Sequence, residues 1–165
     1  MARITVNNGA EEIARLLEEM SRSGEAVAKM ATYEAARVVA DAVREAVETL
    51  PEDKYRYLRD GDLLDVITKD DKEDLLDAIG IAEMKRSEDG VDTLVGFAGY
   101  SRHKTKKYPQ GVPLPMIMRS IEHGSSVRQA RPTIKPAVYA VRAEAKAAAI
   151  KGGRRAIEQI IKEGH

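Results

Sequence analysis

Apolar positions recur along this chain at helical spacing near both ends and in alternation near the middle. Ile13, Leu16, Leu17 and Met20 share one face of a helix expected over residues 10–20, preceded by a short strand at 4–6 and a turn at Asn7-Asn8-Gly9. Ser21-Arg22-Ser23-Gly24 then reads as a break, with Ser23 able to cap a second helix and Glu25 suited to its positive N-terminus. That helix carries Val27, Ala31, Ala35, Val38, Ala42, Ala46 and Leu50 on one side up to Pro51, and forms the spine of the expected fold.

Residues 51–80 are acidic and weakly periodic. Tyr55, Tyr57 and Leu58 precede Asp60-Gly61-Asp62, and a short helix expected over 72–79 closes at Gly80, so the stretch reads as an insertion on the edge of the core. Alternation over 81–88 and 91–98 around Asp89-Gly90 predicts a β-hairpin with a type I′ turn. In that register Glu88 faces Val91, Met84 faces Val95 and Ala82 faces Phe97, turning an apolar face to the long helix. Residues 99–115 form a basic loop whose prolines and glycines exclude regular structure, and 116–122 fit a short helix or a strand equally. From Thr133 a helix begins with Pro136 in its first turn, and Gly152 and Gly153 should kink or break it before Ile157, Ile160 and Ile161. The fold class is α+β: a long N-terminal helix packed on a small antiparallel β-sheet, with a C-terminal helix, in one domain over 1–165.

Composition changes this picture in two ways. One Phe and no Trp among 165 residues leave many buried positions to alanine, which lets helices approach closely but buries little area, so neighbouring subunits are expected to supply part of the stability. The net charge of zero also hides a segregation. Residues 1–51 carry six Lys/Arg against nine Asp/Glu, 52–92 seven against fourteen, and 102–165 fourteen against four. Such a chain can join copies of itself head to tail, or turn one charge to a polyanion and the other to a partner; equally, the charges can intermix on the folded surface. The absence of cysteine excludes disulfides, thiolate metal sites and cysteine nucleophiles. No stretch approaches the roughly 20 apolar residues of a membrane span, and the first residues lack a signal-peptide pattern, so a soluble chain made inside the cell, with no membrane partner, is expected.

Catalytic and ligand patterns are missing. Neither a P-loop nor the dinucleotide fingerprint occurs, and His103, His123 and His165 have no second ligand at helical spacing. Asp60-x-Asp62 and Asp70-Asp71-x-Glu73-Asp74 lack the calcium-loop order, which leaves a solvated acidic surface. Glu122 and His123, adjacent on one element, point apart and make no acid–base pair. Glu122 is instead expected at a helix end or interface, ion-paired with Arg131 or Arg119, with His123 as a turn residue. The chain is therefore read as non-enzymatic, without cofactor or metal. The loop holding Arg102, His103, Lys104, Lys106 and Lys107 between Tyr100 and Tyr108 suits a phosphate backbone without base reading, or is a solvated loop. An alternative function follows: a nonspecific nucleic-acid-binding module using residues 102–107 with Arg128, Arg131, Arg154 and Arg155.

One segment points further. Arg119-Ser120-Ile121-Glu122-His123-Gly124-Ser125-Ser126 is followed, after a basic spacer, by Ala130-Arg131-Pro132-Thr133-Ile134-Lys135-Pro136-Ala137. Physically this is an apolar run ended by a glycine that can take positive φ, then two prolines that restart the chain as a helix. Its order resembles a signature of the head–tail joining (neck, tail-completion) proteins of long-tailed double-stranded DNA phages and prophages. In that family a Glu-aromatic-Gly-Thr turn precedes Ala-Arg-Pro-Phe and a Pro-Ala that opens a terminal helix; here His123, Ser125 and Thr133 replace the aromatic, the threonine and the phenylalanine. The resemblance extends to the general plan of long helix, central hairpin and C-terminal helix. It implies a structural virion protein assembled in the host cytoplasm, a homo-oligomeric ring, hexameric or dodecameric, joining head connector to tail around the DNA channel. Glu122, His123, Gly124, Arg131, Pro132 and Pro136 become the expected interface residues. Arg102, Lys104, Lys106 and Lys107 are expected to meet passing double-stranded DNA or to make loop contacts.

Overall fold

A computed structural model describes residues 8–52, 66–88 and 90–163, with the backbone alone at 8–20 and 163. The expected strand at 4–6, the side chains of Ile13 to Met20, the acidic stretch at 53–65, Asp89 and His165 lie outside the described residues. The elements run α1 (Asn8–Glu48), α2 (Lys69–Ala78), β1 (Ile79–Ile81), β2 (Lys85–Ser87), β3 (Gly90–Asp92), β4 (Val95–Phe97), α3 (Leu114–His123), α4 (Ile134–Ala140) and α5 (Arg142–Glu163). The fold is mixed helix and sheet, with a long N-terminal helix, two small antiparallel strand pairs and a C-terminal helix, as the sequence pattern predicts.

α1 is one helix of 41 residues, and residues 21–24 do not interrupt it; Asn8 and Gly9 are helical too. An exposed glycine inside a helix costs only about 1 kcal/mol relative to alanine, too little to break a helix whose following turns pack on α5. α5 lies antiparallel along α1, and an added Cβ at Gly152 would stand 2.7 Å from Glu34 Cγ and 3.2 Å from the Met30 carbonyl. At Gly153 it would meet Ala31 and Val27 at 3.7 and 3.8 Å. Gly152 and Gly153 are therefore not a kink. α5 runs through them uninterrupted, and both are buried where the two helix backbones approach. The helical break lies upstream instead, at Val141, where α4 stops and α5 restarts.

The core gathers Val47 from α1, Leu50 just beyond its end, Ile67, Leu75 from α2, and Leu114, Met118 and Ile121 from α3, with Ile79, Phe97 and Ile134 packed against it. Leu114, Met118 and Ile121 recur at helical spacing, and burying all three settles residues 116–122 as helix rather than strand. α2 starts at Lys69, where Thr68 Oγ1 accepts from the Asp71 N–H at 3.1 Å and Asp70 and Asp71 suit the positive end. It passes directly into β1, so Gly80 is a strand residue and not the helix stop expected of it.

The hairpin departs from the expected register. Ile79 pairs with Phe97 and Ile81 with Val95, while Lys85 pairs with Asp92 and Ser87 with Gly90. Between the two ladders Ala82, Glu83 and Met84 oppose only Thr93 and Leu94, the count of a β-bulge. The Ala82 N–H donates to the Leu94 carbonyl at 2.8 Å and Thr93 Oγ1 donates to the Ala82 carbonyl at 2.7 Å, which satisfies the disrupted backbone. The larger pairs Ile79 with Phe97 and Ile81 with Val95 win over the expected Ala82 with Phe97, because they bury more apolar surface. The strands lie on α1, where Thr32 Oγ1 donates to the Val91 carbonyl at 3.1 Å.

Candidate functional site

The residues of the turn signature meet at one corner between α3 and α4. Gly124 ends α3 at φ 79°, where a side chain is strained, and a Cβ would come within 3.0 Å of the Ala130 nitrogen and 3.2 Å of the Arg128 carbonyl. Residues 125–128 close a tight turn, with the Ser125 N–H donating to the Arg128 carbonyl at 2.8 Å. The returning chain is tied down when the Arg131 N–H donates to the Ile121 carbonyl at 2.7 Å, satisfying an acceptor that the end of α3 leaves open.

Glu122 then reaches across. Its Oε2 accepts from the N–H groups of Thr133 and Ile134 at 2.7 and 2.9 Å, and its Oε1 from Lys135 at 3.0 Å. These are donors that the start of α4 leaves without a helical acceptor, and Pro136, next in line, has none to offer. Thr133 occupies the cap position, but its hydroxyl donates backward to the Arg131 carbonyl at 2.8 Å, so the cap comes from a carboxylate eleven residues earlier in sequence. Burial pushes the Glu122 carboxyl upward, yet the three N–H groups and neighbouring His123 outweigh it and hold the group below the usual carboxylate range. The expected ion pair of Glu122 with Arg131 or Arg119 is thus replaced by backbone capping. Arg131, Arg119, Pro132, Pro136 and His123 are exposed.

Residues 99–115 are better ordered than their prolines and glycines suggest. The Leu114 N–H donates to the Gly99 carbonyl, Ser101 exchanges bonds with Val112, and Thr105 with Tyr108, so the segment is an antiparallel arm closed by a tight turn. Gly111 has φ 110°, and a Cβ there would collide with the carbonyl of buried Ser101.

The arm splits the expected set of cations. Arg102 is turned onto α2, with Nε and its own backbone N–H each 2.8 Å from Asp74, and with Glu73 and Asp70 at 3.3 and 3.5 Å from its Nη1. His103 lies 3.8 Å from Asp70. Arg128 is also drawn inward, donating to the Val66 carbonyl at 2.7 Å; burial pushes its guanidinium down while Asp71 pulls the other way. Part of the acidic segment is therefore neutralised within the chain, and Arg102 and Arg128 are withdrawn from any polyanion. Lys104, Lys106 and Lys107 are exposed, with Lys107 Nζ 5.5 Å from the Tyr108 ring centre, and Arg154 and Arg155 are exposed on α5.

Sequence reasoning did not find the groove between β1, β4, α3 and α4. It is open, about 930 Å³, floored by Ile81, Val95, Phe97 and Met118, with Leu94 and Tyr139, 76% and 63% exposed, at its edges. Arg119, Glu122, His123 and Lys135 line it as well, so the corner forms one of its rims. Leu94, in the bulge between β3 and β4, and Tyr139 on α4 are the large apolar residues left exposed at its edges. Among the described residues no three His, Asp or Glu side chains come together as a metal site, and no helix is long and apolar enough to cross a membrane. No family model, no curated protein and no solved structure matches the chain.

Proposed function

We propose that the protein is a non-enzymatic virion component of the neck of a long-tailed double-stranded DNA phage or prophage. In this reading it is assembled in the host cytoplasm as a hexameric or dodecameric ring that joins head connector to tail around the DNA channel. One observation carries it: the residues that resemble the neck signature build a single corner, each with a task its type fits. Gly124 allows the turn, Glu122 caps α4, Pro136 sits in its first turn without an orphan donor, and Arg131 ties the returning chain to Ile121 through its N–H while its side chain stays exposed. The groove offers surface for a neighbouring copy or a neck partner. Lys104, Lys106 and Lys107, at the tip of a pinned arm, suit a passing phosphate backbone that is not gripped.

A second reading, a nonspecific nucleic-acid-binding module, rests on the same exposed lysines with Arg131, Arg154 and Arg155, less Arg102 and Arg128. Light scattering of the purified protein across concentration and salt separates the two. A mass matching a closed ring supports the neck reading. A monomer or dimer that stays small at high concentration, yet shifts onto duplex DNA at low salt, overturns it in favour of the second.

A further inference from the structure

α5 has two apolar faces and only one is covered. Ala145, Gly152, Gly153 and Ala156 are buried, with the glycines against α1. Roughly 130° around the helix, by its 3.6 residues per turn, Ala143, Ala147, Ile150, Arg154, Ile157 and Ile161 succeed one another at alternating intervals of four and three, the spacing of a coiled-coil seam. Ile150, Ile157 and Ile161 are 51%, 47% and 60% exposed. A shallow recess of about 490 Å³ runs along this side, lined by Ala147, Ile150, Lys151, Arg154, Arg155 and Glu158.

We infer that this seam pairs antiparallel with α5 of a second copy. The flanking charges select the occupant and its direction. Lys151 and Glu158 lie one heptad apart on the same flank of the seam, exposed and in no ion pair with another described residue. When Ile150 packs across from Ile161 of a second copy and Arg154 from Ile157, each Lys151 comes beside the other copy's Glu158, and two-fold symmetry makes the pair twice. A parallel, in-register pairing sets Lys146 against Lys151 of the other copy and leaves Glu158 opposite glycine, which disfavours it. Arg154, the charged residue within an otherwise apolar seam, fixes the register, since its stem covers Ile157 while its guanidinium reaches Glu158 of the other copy. The contact is independent of the neck reading: ring formation without it, or the pairing without a ring, separates the two.

The chain has no cysteine, so single cysteines report the geometry directly. Lys151→Cys mixed with Glu158→Cys should give a disulfide-linked dimer on mild oxidation, whereas neither variant alone should cross-link. Ile150→Glu with Ile157→Glu, both exposed, should leave helicity and melting unchanged while abolishing the concentration-dependent dimer seen by sedimentation. Lys151→Glu and Glu158→Lys should each weaken the dimer at least several-fold, and the double exchange should restore it. A monomer at every concentration, self-cross-linking of Lys151→Cys alone, or a dimer that survives the isoleucine substitutions overturns the inference.

Discussion

Replacing Glu122 with alanine removes the acceptor of three backbone N–H groups at 2.7, 2.9 and 3.0 Å. A hydrogen bond to a charged group contributes about 1.5–3 kcal/mol when buried, and loss of a helix cap about 1 kcal/mol. Thr133 and Ile134 are half-buried and Lys135 is exposed, so water recovers part of the loss, and about 2–3 kcal/mol is the expected net cost. A chain of this size loses roughly 2–4 °C of melting temperature per kcal/mol, which places Glu122→Ala about 5–10 °C below the parent. Glu122→Gln keeps the shape and one acceptor oxygen, and should lose roughly half as much. The pH dependence has a definite sign. Because the folded carboxyl is held below its ordinary value, its contribution is complete above the usual carboxylate range and disappears as pH falls through the depressed value. Parent and Glu122→Gln should therefore differ at pH about 7 and converge only as pH falls through the depressed value, below the usual carboxylate range. Thermal melts followed by circular dichroism at stepped pH test both claims. Melting of Glu122→Ala within about 1 °C of the parent, or a Gln deficit unchanged into acid, would refute the capping role.

Five further outcomes follow from the space around the glycines and from the exposed charges. Gly152→Leu, forced against Glu34 and the Met30 carbonyl, should cost about 2–3 kcal/mol in urea unfolding, while Gly153→Ala, with ordinary contacts at 3.7 Å or more, should be neutral or gain up to about 1 kcal/mol. Gly24→Ala, with open space around it, should stabilise by about 1 kcal/mol in the same assay. Gly111→Ala meets both a positive φ and the Ser101 carbonyl, and should lower the urea midpoint by the equivalent of about 2–4 kcal/mol. Reversing Lys104, Lys106 and Lys107 to glutamate should change stability by less than about 0.5 kcal/mol while weakening assembly or DNA passage; unchanged ring yield and DNA behaviour would show the arm to be idle.

The long helix, the strand pair and the terminal helix were legible because their apolar periods extend over many residues. So were the Gly124 turn and the place of Pro136, which depend on local backbone chemistry. What misled were local signals overruled from far away. Residues 21–24 read as a break because α5, which covers the next turns of α1, comes much later in the chain. Gly152 and Gly153 read as a kink for the same reason, being selected by another helix and not by their own. Asp89-Gly90 suggested that Glu88 faces Val91, but Val91 pairs with Arg86 and Ser87 with Gly90, and the bulge at 82–84 shifts the outer ladder by one residue more. Glu122 was expected to pair with an arginine, yet its carboxylate caps α4, since backbone N–H groups have no residue identity for a sequence to display. The charge segregation was real, yet Arg102 and Arg128 spend part of it inside the chain.

The partnership of α1 with α5 joins two helices that lie far apart in the order of synthesis. On the ribosome the stretch of α1 at residues 27–34 emerges bare on the side that faces α5 and stays so until α5 has left the exit tunnel, because the glycine contact that covers it is made much later in the chain. The nascent protein thus passes through a long interval in which its largest helix invites wrong partners. A stop codon before Gly152 would not simply shorten the protein but would make that interval permanent.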